Sequence, residues 1–187
     1  MPEIETLRLR LRMPSPQDVE DVALLFADPE VMTFIGIEAG TTLSREETEN
    51  ALAKMNEFWA RNGFGRWTVI EKESGKLIGL CGLRLYEGTP ELFYLFEKPS
   101  WGKGYATEAA SAVLRYGFEE KEFERIIAGI RAGNANSLKV ANKIGMIYEK
   151  ELNLYGVHCQ CYVVTRSEFE PLGGAYVFHA NDRHVDD

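Results

Sequence analysis

Hydrophobic and polar positions alternate strictly in Leu7-Arg-Leu-Arg-Leu-Arg12, a period of two that predicts a half-buried strand with its leucines on a core and its arginines in water. Helical spacing follows. Ser15 ahead of Pro16 marks a helix start, and Val19, Val22, Ala23 and Phe26 recur at three- and four-residue intervals up to Asp28-Pro29. Ser44-Arg-Glu-Glu47 has the capping-box pattern, and Ala51, Leu52, Met55, Phe58 and Trp59 form an apolar stripe that stops at Asn62-Gly63. Trp67–Ile70 and Leu77–Leu85, on either side of a turn holding Ser74-Gly75, predict a β-hairpin.

The centre of the pattern is Glu91-Leu-Phe-Tyr-Leu-Phe96, a short aromatic-rich run of the kind that forms a buried strand, ended by Pro99 because proline has no N–H for a ladder. Gly102-Lys103-Gly104 then punctuates a loop, and an alanine-rich helix runs from Ala106 to Tyr116. Beyond it, Arg125–Arg131 is a strand, Asn136–Ile144 a short helix closed by Lys143 and Gly145, and Met146–Leu152 and Cys159–Thr165 are two last strands. The order β-α-α-β-β-β-α-β-α-β-β predicts an α/β (α+β) fold: a mixed, mostly antiparallel sheet of about seven strands with helices on both faces. The strands on either side of the alanine-rich helix form a central parallel pair, because a crossover helix joins them. No repeat or composition break divides the chain, so residues 1–172 read as one domain. From Gly173 to Asp187 low periodicity predicts a tail, disordered or packed on a neighbour.

Charge and cysteine content narrow the partners. The chain has 187 residues with 21 basic and 29 acidic side chains, 21 − 29 = −8, which argues against nucleic acid or an anionic membrane and favours cationic or amine partners. Cys81, Cys159 and Cys161 are odd in number and lack metal-ligand spacing, so they read as core thiols, with no metal expected. Without a basic leader ahead of an apolar stretch, or 18 consecutive apolar residues, the sequence predicts a soluble cytoplasmic protein.

The candidate chemistry begins at the glycine loop. First-turn N–H groups of a helix have no intrahelical partner and sit at the positive end of its dipole, so a phosphate fits at Gly102–Ala106, where Lys103 could add charge; the bland alternative is a simple chain reversal. Asn134-Ala-Asn-Ser137-Leu-Lys-Val-Ala-Asn-Lys-Ile-Gly145-Met146 lies just past the parallel partner strand, which puts its polar head on the same sheet edge. Asn136 reads as the cap of that helix. Glu108, in the first turn of the preceding helix, reads as structural, and no role falls to His158, His179 or His184. The loop is one glycine short of a dinucleotide fingerprint, and Arg131 and Ala132 stand where that fold places an acidic residue; no phosphate-binding Gly-x-x-x-x-Gly-Lys-Ser/Thr motif occurs either.

Together the two motifs resemble the GNAT superfamily of acyl-CoA-dependent N-acetyltransferases from about Leu7 to Phe169. Trp-Gly-Lys-Gly-Tyr-Ala-Thr-Glu-Ala and Asn-x-x-Ser-x-x-x-x-x-Lys-x-Gly-Met are most similar to its ribosomal-protein N-terminal (RimJ/RimL-like) group. The resemblance implies acetyl-CoA as co-substrate. Gly102, Lys103, Gly104, Tyr105 and Ala106 would bind its pyrophosphate through backbone amides, and the strand of Leu95 and Phe96 would splay from its parallel neighbour and pair with the pantetheine arm. Trp101 joins this cofactor set without the amide or guanidinium that often stands at its position. Tyr105 packs, with a hydroxyl that could reach the cofactor. Ala141 occupies the place of a frequent tyrosine acid, and Met146 that of a phenylalanine. Ser137 is therefore the candidate to hydrogen-bond or protonate the departing thiolate, and Asn134 to contact pantetheine.

Such a reaction needs a neutral amine and a polarised carbonyl. An α-amino group near pKa 8 is already about a tenth neutral at pH 7, so it asks little of a base. Glu91, at the start of the central strand, is the candidate to take the proton through water, against the alternative of a solvated strand-end carboxylate. A backbone N–H of Leu95 or Phe96 could polarise the thioester oxygen. The acceptor, a peptide N-terminus or a small amine, would be shaped by Phe34–Leu43, Phe58–Gly65 and the Asn153–Cys159 hairpin. A monomer or homodimer is expected. The alternative function is a non-catalytic acetyl-CoA-binding sensor, kept open by the missing tyrosine.

Overall fold

The computed structural model describes residues 2–180. Along the chain lie β1 (Glu3–Thr6), β2 (Leu9–Arg12), α1 (Val19–Ala27), α2 (Pro29–Met32), α3 (Arg45–Asn62), β3 (Arg66–Glu71), β4 (Leu77–Tyr86) and β5 (Thr89–Phe96). They are followed by α4 (Tyr105–Glu119), β6 (Arg125–Ile130), α5 (Ala135–Lys143), β7 (Ile147–Leu154), β8 (Val157–Thr165) and β9 (Tyr176–His179). The strands form one sheet in the order β7-β8-β6-β5-β4-β3-β2-β1-β9. Its pairs are antiparallel except β5 with β6, which α4 joins by a crossover.

Alternation along β5 sorts the helices onto the two faces. Leu92 and Phe96 point into a core with α4, α5 and the β1–β3 edge, where Trp67 is fully buried against Trp59 and Tyr116 at ring distances of 4.9 Å. Phe93 and Leu95 point the other way, against Val22 and Phe26 of α1, Met32 of α2 and Met55 of α3. Each such large apolar side chain contributes about 1.5–3 kcal/mol on burial, so the central strand is fixed from both sides. The Ser44 capping box is present, and Gly63 ends α3 in the left-handed conformation.

Four expectations need correction. The sheet has nine strands, because Glu3–Thr6 and Tyr176–His179 add to one edge two short strands that main-chain bonding holds without a long hydrophobic signature. Residues 173–187 are therefore not a uniform tail; residues 181–187 lie outside the described residues. Leu7 is 72% exposed, since the Leu7-Arg8 corner separates β1 from β2. The arginines of that segment are not merely hydrated: Arg8 pairs with Glu108, Arg10 with Glu3 and Arg12 with Asp18.

Candidate active site

β5 and β6 share a single registered pair, Glu91 with Ile127. Past it, β5 stays on β4 through Phe96 while β6 stays on β8, so the sheet opens between them. Tyr94, Leu95 and Phe96 line the resulting cavity of about 440 Å³. An opened parallel pair leaves backbone groups without a ladder partner, which an extended ligand can satisfy. Trp101 braces the floor, its indole N–H donating to the Phe96 carbonyl at 2.8 Å.

The glycine loop closes one end of this cavity. Gly102 and Gly104 adopt φ of +76° and +84°, and a side chain added at either would meet nothing closer than Arg8 at 3.5 Å, so the loop is open as well as left-handed. The Gly104 carbonyl accepts the first helical bond of α4 from Glu108 N–H at 3.0 Å, leaving the amides of Tyr105, Ala106 and Thr107 ahead of it. Those three residues line the cavity. Lys103 does not: its carbonyl accepts from Arg8 at 2.9 Å, and the cationic residues of the lining are Lys139 and Lys143 of α5. The Tyr105 hydroxyl bonds to Glu71. Glu108 is structural as expected, its carboxylate holding Thr6 Oγ1, Arg8 N and Arg8 Nε at 2.7, 2.9 and 2.7 Å.

A second cavity of about 220 Å³ lies across the sheet opening and shares Phe34, Ile35, Tyr94, Asn134 and Ser137 with the first. Asn134, rather than Asn136, caps α5, its side-chain oxygen accepting from Ser137 N–H at 3.1 Å. This cap orients Ser137 toward Tyr94, whose hydroxyl lies 2.6 Å from Ser137 Oγ. Burial pushes the Tyr94 phenol up to about 12, against the opposing hydrogen bond to Ser137.

Glu91 stands on the far wall of this cavity and is 1% exposed, which removes the solvated strand-end reading. Arg84, its partner in the β4–β5 register, grips both carboxylate oxygens at 2.6 and 2.9 Å, and the Tyr155 hydroxyl reaches one of them at 3.0 Å. Tyr155 sits at the β7–β8 turn with φ of +51°, strained for a side chain of its size, and its ring covers the Arg84 guanidinium at 4.6 Å. Burial raises both its phenol and the nearby Cys159 thiol.

The structure thus brings Glu91, Ser137, Asn134, Leu95, Phe96, Trp101, Gly102, Gly104, Tyr105 and Ala106 to one continuous cleft, and leaves Lys103 out of its lining. Sequence reasoning missed Tyr94, Arg84 and Tyr155. Arg84 had a signal, because a hairpin register that pairs Leu83 with Leu92 also pairs Arg84 with Glu91. Among the described residues no three His, Cys, Asp or Glu side chains gather as a metal site, and no helix is long and apolar enough to cross a membrane.

Comparison with known proteins adds an independent line. The family model described as "Acetyltransferase (GNAT) domain" matches residues 8–147. The uncharacterized protein YkkB of Bacillus subtilis is 37% identical over 157 residues, 80% of this chain and 88% of that protein. Among solved structures, a GNAT-family acetyltransferase from Bacillus anthracis superposes with a TM-score of 0.76 at 30% identity, covering 89% of this chain and 99% of that one. A ribosomal-protein-S5-alanine acetyltransferase from Vibrio fischeri shares the fold, with a TM-score of 0.71 at 19% identity over 90% of this chain and 99% of that one.

Proposed function

The chain belongs to the acetyltransferase (GNAT) family, and from that premise we propose that it moves an acetyl group from acetyl-CoA to a primary amine, a peptide N-terminus or a small molecule, by direct attack with both substrates bound. One observation carries the reading: two cavities at the opened sheet share Tyr94 and Ser137 in their linings and so meet there. A donor site alone would need only the first. Acetyl-CoA supplies the activated acetyl group as a thioester.

Each residue then has a defined task. The Gly102–Ala106 amides, at the positive end of the 15-residue α4, hold the pyrophosphate, with Lys139 and Lys143 adding cationic charge. The backbone of Leu95 and Phe96 pairs with the pantetheine arm and offers an N–H to the carbonyl oxygen, while Asn134 borders the arm at the junction. Ser137 donates to the departing sulfur. Glu91, fixed by Arg84 and Tyr155, takes the amine's proton through water, a modest demand for an α-amino group that is already about a tenth neutral.

The experiment is calorimetric titration of acetyl-CoA followed by a thiol-release assay against peptide N-termini and small amines. Binding with release is the expected result. Binding without release from any amine would leave a CoA-binding protein that transfers nothing, and no binding would remove the cleft assignment itself.

A further inference from the structure

The acceptor cavity differs in charge from the molecule around it. The whole chain carries −8, yet the charged side chains on this wall are Arg84, Arg131 and Glu91, and Glu91 has both oxygens tied to Arg84. The charge left over is that of Arg131. Its Nη2 donates to the carbonyls of Gly36 and Ile37, which anchors the guanidinium and leaves Nε and Nη1 without partners among the described residues. Behind this wall is another cation: Arg66, partly buried, lies over the Phe93 ring at 5.2 Å, as Arg84 does at 5.2 Å. No hydrogen-bond or ion-pair partner faces the Arg66 side chain among the described residues. Burial, then the charge of Arg84, lowers its pKa to about 10, so it stays positive at neutral pH.

This surplus acts on what enters. An ammonium in a positive chamber has its pKa lowered, which favours the neutral form that attacks. A second ammonium on the same acceptor would meet the same repulsion with no reaction to relieve it, whereas a carboxylate would find an anchored guanidinium with a free donor at Nε or Nη1 for a charge-assisted hydrogen bond. At about 220 Å³ the cavity is smaller than the roughly 300–1,000 Å³ of drug-sized sites, so it takes an amino-acid-sized end. Resting on the transferase reading above, we infer that the acceptor is an amine bearing a carboxylate within a few atoms of its reacting nitrogen, the carboxylate held by Arg131 and the positive field of the wall completed by Arg66 beyond Phe93. A free amino acid and the acidic first residue of a peptide both carry that chemistry. Polyamines do not.

Thiol release from acetyl-CoA by the full chain tests this with acceptors matched in shape: alanine against alaninamide, the amide of Asp-Ala against the amide of Asn-Ala, and spermidine as the polycation. In at least one pair the carboxylate member is expected to show kcat/KM at least ten-fold higher, carried by KM, with spermidine below both. The pair that responds names the source as free amino acid or peptide. Arg131→Gln should bring that ratio toward one, Arg131→Lys should retain most of it, and Arg66→Gln, off the cavity wall, should reduce it in part. Equal rates within both pairs, a preference for spermidine, or a ratio unmoved by both glutamine variants would overturn the inference while leaving acetyl transfer standing. Binding of acetyl-CoA with no release by any acceptor would overturn the transferase reading, and this inference with it.

Discussion

The Tyr94 hydroxyl lies 2.6 Å from Ser137 Oγ and 3.1 Å from the Ser137 carbonyl oxygen. A single phenolic proton serves one of them at a time. When it goes to Oγ, the serine's own proton is free to point to the junction of the two cavities. With its pKa pushed up to about 12, the phenol keeps that proton at neutral pH and so orients the serine instead of ionising.

Ser137→Ala is expected to lower kcat by about 10²-fold, the low end for a positioned acid, with acetyl-CoA affinity unchanged by calorimetry. Tyr94→Phe keeps the ring and should cost less, about ten-fold. If Tyr94 acts through Ser137, the double variant is no slower than Ser137→Ala alone; additive losses would separate the two residues.

Gly104→Val should weaken acetyl-CoA binding at least ten-fold. The space beside Gly104 is open, so the cost is the left-handed φ of +84°, about 1–2 kcal/mol for a side-chain residue, and the loop relieves it by moving its amides. Gly75→Val imposes the same conformational strain at φ +69° in the β3–β4 turn, and calorimetry should show its affinity unchanged while its Tm falls.

Glu91→Gln leaves Arg84 without its counter-charge in a mostly buried setting, and a loss of about 1–3 kcal/mol is expected in urea unfolding. Replacing Arg84 by Met in the same protein should return much of that stability. Activity should not return, because no carboxylate is left to receive the proton; a double variant with wild-type turnover would remove Glu91 from the chemistry.

Asp18 sets an acid limit on stability. Burial pushes its pKa up, but hydrogen bonds from Arg12 at 2.5 and 2.7 Å and from Ser15 N–H at 2.7 Å outweigh this and hold it below the usual carboxylate range. A pKa lower folded than unfolded gives stability that is complete above about pH 4 and is lost as pH falls through the folded value. Asp18→Asn should lower the unfolding free energy at pH 7 and flatten its decline below pH 4, both measured in urea.

The parts of the cleft that were legible in the sequence are those made by backbone. Gly102 and Gly104 declared a left-handed loop, the Ala106–Tyr116 composition declared the helix after it, and the crossover rule made β5 and β6 parallel. Parallelism does not announce how far two strands stay paired, so their separation after Glu91 had to come from the family resemblance. The side-chain partners were illegible for a different reason. Tyr94 lies in a run of apolar residues that reads as core, and only the fold brings α5 over it; Tyr155 reaches Glu91 through a turn whose φ no local preference favours. Lys103 was a chemically apt cation beside a phosphate loop, but the cationic side chains that line the cleft are Lys139 and Lys143, which only the packing of α5 brings there. Leu7 misled because strict alternation conceals a corner, which the Glu108 carboxylate fixes from the first turn of α4.

The pairing of Glu3 with His179 and of Thr6 with Tyr176 ties together segments from opposite ends of the described chain. During synthesis on the ribosome β1 is made long before β9 and must wait for it before its outer backbone is covered. In that interval it is an open strand edge, a template for pairing with another copy. Glu3, Glu5, Arg8 and Arg10 crowd the corner of β1 and β2 with charge, which guards the nascent chain until β9 arrives.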